Sequence, residues 1–275
     1  MTSDLQRAID KFTVHAPAAS LPIDPETLLL AYRSGIFPMA GARDDPEIFW
    51  VEPRRRAILP LEGFHCSRSL AKVLRRDAFK VTCNADFAAV IRHCAGPRAD
   101  AQGTWISSRI EASYLALHDR GLAHSIECWH GTELVGGLYG VGFDRVFCGE
   151  SMFSRVPDAS KVALAWLVAA LRRGGAMLLD CQFMTDHLAS MGAAEIAQSE
   201  YLTRLRAAQR PTLGEAAGEG FAAGLGVSMA VGAGAALALP AGFAALLADA
   251  AADAAGAGLS SSPGNFIAQS LTQTS

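Results

Sequence analysis

The sequence predicts an α+β fold, with helices around a mostly antiparallel sheet. Two apolar, strand-like runs, HSIECWH and ELVGGLYGV, flank His130-Gly131-Thr132 and read as a hairpin. Further strand-like runs, FKVTC, RVFCGES and AMLLDCQ, alternate with helix-length segments that carry capping signals. The chain has 275 residues, 51% hydrophobic and 19% charged, enough for one large domain or two modest ones.

The elements follow in order. In DPETLLLAYRSG, Asp24 can cap, Pro25 suits the first helical turn, and Gly35 suits the exit. The Pro- and turn-rich stretch after it makes residues 1–60 a small, irregular N-terminal domain. Residues 61–212 form the main domain. There SRSLAKVLRR is helical, FKVTC is a strand, and NADFAAVIRHCA is a helix capped by Asn84. SSRIEASYLALHDRG opens with a capping box from Ser108 to Glu111 and closes at Gly121. After the hairpin and RVFCGES comes the apolar helix SKVALAWLVAALRRGG, ending at Gly174. AMLLDCQ is a buried strand, and a short helix spans 186–191. Residues 213–275 are an Ala/Gly-rich C-terminal appendage, flexible or loosely helical. Gly220 to Ala248 carries no charge, which by length is a membrane-span candidate. Ala and Gly give little transfer free energy, Pro240 interrupts, and no Lys or Arg flanks it, so no membrane partner is expected.

The net charge of −3 excludes a chain that is basic throughout, so any nucleic-acid contact needs a local patch. The N-terminus MTSDLQRAIDKF lacks the apolar core of a signal peptide, which points to a cytoplasmic protein. None of the six cysteines sits in a C-x-x-C pair, so reduced thiols are expected, not disulfides or a zinc site. The histidines show no metal-ligand spacing.

Several strings stand out together: Gly35-Ile36-Phe37-Pro38, Gly103-Thr104-Trp105-Ile106, His124-Ser125-Ile126-Glu127 and LVGGLYG from Leu134. FCGESMFSR (Phe147 to Arg155) and Asp180-Cys181-Gln182 follow. In this order, over roughly residues 22–210, the set resembles the leucyl/phenylalanyl-tRNA–protein transferases. The resemblance implies an acetyltransferase-like (GNAT-type) fold for the larger domain, beside the small N-terminal one. It implies transfer of Leu or Phe, less readily Met, from aminoacyl-tRNA to proteins that begin with Arg or Lys. The product would be marked for N-end-rule degradation. The partners would be Leu-tRNA, Phe-tRNA and the acceptor proteins, with no DNA; a monomer is the default.

An aminoacyl ester is already activated, so this reaction needs no cofactor and no metal. It needs a neutral α-amine held against the ester carbonyl, and a free α-amine has a pKa of about 7.7–8.0. Asp180 and Gln182 lie two apart on a strand, so their side chains share a face and Cys181 points away. Gln182 matches the family residue beside the reacting amine. Its carboxamide is a poor base, so its oxygen accepts a hydrogen bond, with Asp180 fixing the amide; a relay with Gln182 as formal base is the bolder version. The structural alternative is that both cap the next helix. Glu150 matches a family residue that contacts the acceptor, and the alternative is an ion pair with Arg155 or Lys161. Trp50, Trp105, Leu138, Phe147 and Leu179 match the family's aminoacyl pocket, with core packing as the alternative for each. Arg68, Lys72, Arg75 and Arg76 share a helix face, with Lys80 close by, as a patch for acceptor-stem phosphates, or else a solvated face. Arg54, Arg55 and Arg56 form a second basic cluster.

Two rivals remain. A CoA-dependent acetyltransferase would share the fold but needs a glycine-rich loop before the long helix, where SRVPDASK has no glycine. A tRNA-binding protein without activity would keep the basic patch but not need Glu150, Asp180 and Gln182 together.

Overall fold

The computed structural model describes residues 9–13, 21–96, 103–210, 236–257 and 262–272. Two sheets organise them. A three-stranded antiparallel sheet has the order β1-β3-β2, with β1 Ile9–Thr13, β2 Phe37–Met39 and β3 Phe49–Pro53. The larger sheet has seven strands in the order β10-β4-β9-β8-β7-β6-β5. These are β4 Arg55–Ile58, β5 Lys80–Cys83, β6 Ala123–His130, β7 Glu133–Phe143, β8 Val146–Ser154, β9 Leu178–Gln182 and β10 Ala194–Ala197. All its pairings are antiparallel except β8 with β9. β4, within the first sixty residues, thus belongs to the larger sheet.

Helices cover both faces. Along a strand successive side chains alternate between faces, so each face builds its own core. One core holds α2 Arg68–Arg75 and α5 Ala159–Arg173 over Leu138, Phe147 and Leu179. The other holds α1 Pro25–Arg33, α3 Phe87–Cys94, α4 Ser108–Asp119 and α7 Gln198–Ala208 over Tyr139, Cys148 and Leu178. The crossover α5 carries twelve buried residues, from Ala159 to Leu171, so its sequence is apolar all round.

Local chemistry explains the boundaries and corrects two of them. Asp24 caps α1 through the Thr27 N–H, and Pro25 opens it. Asp86, not Asn84, caps α3. Asn84 instead takes φ +58° and receives the Ser125 N–H, holding the turn that Asp86 then starts. Ser107, not Ser108, caps α4, and Glu111 pairs with Arg43 instead of closing a capping box.

The C-terminal segment also departs from expectation. α8 Leu239–Ala257 and α9 Pro263–Thr272 pack on the core and are no loose appendage. Phe243 meets Trp166 of α5 with ring centroids 5.4 Å apart, and Ile267 and Leu271 bury against the α2 side. Leu237, Leu246 and Phe243 supply the large side chains that the surrounding alanines lack, so a few residues anchor an otherwise bland helix. Residues 211–235, including most of the uncharged run, lie outside the described residues. No helix among the described residues is long and apolar enough to cross a membrane.

Candidate active site

β8 and β9 run in register only to Cys148 and Asp180, although β8 continues to Ser154. A cavity of about 360 Å³ lies where their ladder stops. Its apolar wall includes Trp105, Leu138, Leu179, Leu164, Leu167 and Leu188, and its polar end presents Glu150 and Gln182.

Two irregularities aim those polar side chains. Tyr139 pairs with Ser151 and Gly140 with Gly149, so Glu150 is the extra residue of a β-bulge. At the bulge the Glu150 carboxylate lies between the Tyr114 hydroxyl and the Gln182 amide, at the cavity's polar end. Gly140 is required opposite it, because a Cβ there would stand 2.2 Å from the Cys148 carbonyl oxygen. The second irregularity is Gln182 itself, at φ +61° at the end of β9. Left-handed backbone is costly for a residue with a Cβ and persists only where surroundings enforce it. It ends the alternation, so Gln182 lines the cavity alongside Cys181. The Cys181 thiol is pushed far up by burial, which leaves it a poor nucleophile.

Gln182 Nε2 donates to Glu150 Oε1 at 2.9 Å, and the Tyr114 hydroxyl donates to Glu150 Oε2 at 2.9 Å. Tyr114 also hydrogen-bonds Tyr32. Burial pushes the Glu150 carboxyl up to about 7, against the lowering pull of its bonds from Tyr32, Gln182 and Tyr114. The alternative partners of Glu150 are engaged elsewhere: Lys161 with Asp158, and Arg155 with His93.

Asp180 faces away from the cavity. Arg56 grips both its oxygens, Nε to Oδ1 at 2.8 Å and Nη2 to Oδ2 at 2.6 Å. Asp180 does not fix the Gln182 side-chain amide, as the sequence suggested; Oδ1 accepts the Gln182 backbone N–H at 2.8 Å. Nor does either residue cap the next helix, α6 Asp186–Ser190, which Thr185 caps. Arg56 is 1% exposed and belongs to no surface cluster, unlike Arg55, which reaches Glu195 in solvent.

Of the five apolar residues expected at the pocket, Trp105, Leu138 and Leu179 line the cavity. Trp50 and Phe147 do not. Trp50 sits on β3 of the smaller sheet, and Phe147 is fully buried in the core beside Gly140. The five basic residues are all exposed. Leu70, Ala71 and Leu74 fill the buried side of α2. At 3.6 residues per turn, Arg68, Lys72, Arg75 and Arg76 span an arc of roughly 100° on the opposite side. None of the five makes an ion pair among the described residues. There, too, no group of His, Cys, Asp and Glu is arranged to hold a metal ion.

The sequence reading missed Arg56, Tyr32, Tyr114 and Tyr201 as parts of this network. One signal was available: Tyr32 and Tyr114 stand on the apolar faces of their helices, where a buried phenol needs a hydrogen-bond partner. Arg56 gave no such signal, because it stands in a run of three arginines.

The family model for the leucyl/phenylalanyl-tRNA protein transferase matches residues 58–206, and the model for that family's N-terminal domain matches residues 22–54. The leucyl/phenylalanyl-tRNA–protein transferase of Novosphingobium aromaticivorans is 66% identical over 263 residues, 92% of this chain and 97% of its own length. That of Zymomonas mobilis is 60% identical over 186 residues, 68% of this chain and 69% of its own. Among solved structures, that of L-PGS from Bacillus licheniformis aligns with a TM-score of 0.33 and 13% identity over 60% of this chain and 55% of its own, too slight a likeness to carry an argument. With family models covering both units and so close a relative along nearly its whole length, the chain belongs to the leucyl/phenylalanyl-tRNA protein transferase family.

Proposed function

We propose that this chain transfers Leu or Phe, and less readily Met, from aminoacyl-tRNA to the N-terminal Arg or Lys of acceptor proteins, marking them for N-end-rule degradation. It acts as a monomer in the cytoplasm, through an acetyltransferase-like larger domain. What carries the reading is the Gln182–Glu150 contact of 2.9 Å at the polar end of an otherwise apolar cavity. The donor's side chain occupies the apolar slot among Trp105, Leu138 and Leu179. That places the ester carbonyl beside Gln182. Such a slot separates Leu, Phe and Met weakly, by about 1–3 kcal/mol per methylene.

The α-amine of the acceptor attacks the ester carbon, and the terminal ribose oxygen leaves. Glu150, with its pKa near 7, is poised to hold the ammonium form on arrival and to take one proton, freeing the neutral amine. As the C–N bond forms and the ester C–O bond breaks, the amine's second proton passes to the departing ribose oxygen, which leaves as the hydroxyl. The Gln182 amide oxygen has no protein partner among the described residues and is free to accept from the same amine. The ester supplies the driving force, so positioning carries most of the rate. The cations of α2 with Lys80 bind acceptor-stem phosphates.

A CoA-dependent acetyltransferase is the rival. It needs free backbone amides at the start of α5 to hold a pyrophosphate. Here the Ser160 N–H is bonded to Ser154 Oγ at 3.2 Å and the Ala159 N–H to the Val156 carbonyl at 3.4 Å. The test is transfer of radiolabelled Leu from Leu-tRNA to peptides beginning with Arg or Gly, without CoA. Label on the Arg peptide alone is expected. No label on either, with acetylation from acetyl-CoA, would move the assignment to the rival.

A further inference from the structure

Asp180 is fully buried and does not line the cavity. A carboxylate offers about four acceptor positions, and all four are filled. Oδ1 accepts Arg56 Nε and the Gln182 backbone N–H, each at 2.8 Å. Oδ2 accepts Arg56 Nη2 at 2.6 Å and the Tyr201 hydroxyl at 3.0 Å. Nothing is left to accept from a substrate amine or from the Gln182 side chain. Arg56 is held just as fully. Nη1 donates to the Gly35 carbonyl at 3.1 Å, and the guanidinium lies 4.7 Å from the Phe37 ring centre and 4.5 Å from that of Tyr201. Gly35 itself is at φ +85°, with Leu202 2.9 Å from where a Cβ would stand.

We propose that the Arg56–Asp180 pair is a positioning device: it staples the left-handed backbone of Gln182 through its N–H and so turns the Gln182 amide into the cavity, opposite Glu150. The charge of Asp180 is consumed by Arg56 and is not lent to the reacting amine. Left-handed backbone at a residue with a Cβ persists only where its surroundings enforce it, and the bond from the Gln182 N–H to Asp180 Oδ1 supplies that constraint. Phe37 ties the device to the cavity wall, because its ring packs edge-on against that of Phe183, 5.7 Å away. The assignment rests on the reading that this cavity is the transfer site. It adds that Glu150 alone supplies the working carboxylate.

The experiment measures kcat and KM for transfer of Leu to an Arg-initiated peptide between pH 5.5 and 9, on the full chain. The variants are Asp180→Asn, Arg56→Gln and the two combined. Asn retains an oxygen for the Gln182 N–H, and Gln can donate to it. Each single change leaves one buried charge unopposed, and kcat should fall by about 100-fold or more. The double variant should regain about tenfold over either single one, with KM for Leu-tRNA near that of the wild type and the pH inflection unmoved. A folded double variant no more active than Asp180→Asn would overturn the proposal, because the charge itself would then be needed. Should Arg56→Gln fail to fold, Tyr201→Phe is the second variant. It removes one bond to Oδ2 and leaves the staple, so kcat should fall about fivefold with the same inflection. A displaced inflection would show Asp180 acting on the chemistry and would overturn the proposal. Wild-type protein that transfers no Leu would strike the proposed function and not the device.

Discussion

Arg56 and Arg75 carry the same guanidinium in opposite surroundings. Arg56 is enclosed by Asp180, Tyr201, Phe37 and the Gly35 carbonyl, with every strong contact internal. Arg75 and its neighbour Arg76 stand in solvent at the end of α2, with no carboxylate partner among the described residues. The buried cation holds structure together and has nothing to offer a ligand. The exposed pair contributes little to stability and is available to an anion. Burial, and not residue type, decides which arginine is part of the scaffold and which part of an interface.

The largest effect that would sharpen this contrast is on stability. Arg56→Ala leaves Asp180 buried and unopposed, and should cost about 3–5 kcal/mol in urea denaturation. Arg75→Ala, in contrast, should lie within about 0.5 kcal/mol of the wild type. Equal costs would erase the distinction. Phe243→Ala tests whether α8 belongs to the core, and a loss of about 3–5 kcal/mol is expected. A stability unchanged by it would return the C-terminal helix to the status of an appendage.

Within the cavity, Gln182→Ala should lower kcat about 100-fold while leaving tRNA binding intact, as a group acting at the reacting amine would. Equal loss of both would indicate misfolding. Glu150 gives a pH signature. Its folded pKa, about 7, is raised above the ordinary 4.5. Its contribution to stability is therefore fully present below pH 4.5 and is lost as the pH rises past 7. Glu150→Gln should thus gain stability relative to the wild type across that window, by up to roughly 3 kcal/mol. It should also lose the limb of the transfer profile near pH 7. A constant difference in stability from pH 4.5 to 8 would contradict the raised pKa. The smallest effect is on binding: Arg75→Glu with Arg76→Glu should weaken tRNA affinity about tenfold at low salt and reduce the salt slope by about 2. Unchanged affinity there would remove α2 from the tRNA interface.

Much of the architecture was legible along the chain. The β6–β7 hairpin turns where His130-Gly131-Thr132 lies, with Gly131 at φ +61°. The strands around FKVTC, FCGES and LLDCQ, the long apolar α5 and its end at Gly174 all follow from local pattern and capping. Local rules erred where several side chains compete for one role, as Asp86 outbid Asn84 and Ser107 outbid Ser108. The α8 anchor escaped notice because alanine-rich sequence carries little hydrophobic signal, and only three or four large residues do the packing.

The site divides the same way. Which residues lie at or beside the cavity, among them Glu150, Asp180, Gln182 and Trp105, could be named from motifs in order along the chain. Their mutual arrangement could not. The bulge at Glu150 depends on how β7 and β8 pair, and the left-handed turn at Gln182 on an arginine 126 positions earlier. Trp50 and Phe147 show the limit from the other side: both are large and apolar, and only the packing of two sheets and two cores decides that neither lines the cavity. Periodicity and capping are read from neighbours a few residues apart, so the sequence by itself determined the elements and the candidate chemistry. Contacts across tens to hundreds of residues carry no local signature, and so only the tertiary structure decided that Asp180 is a staple held by Arg56 and that Glu150 faces the cavity.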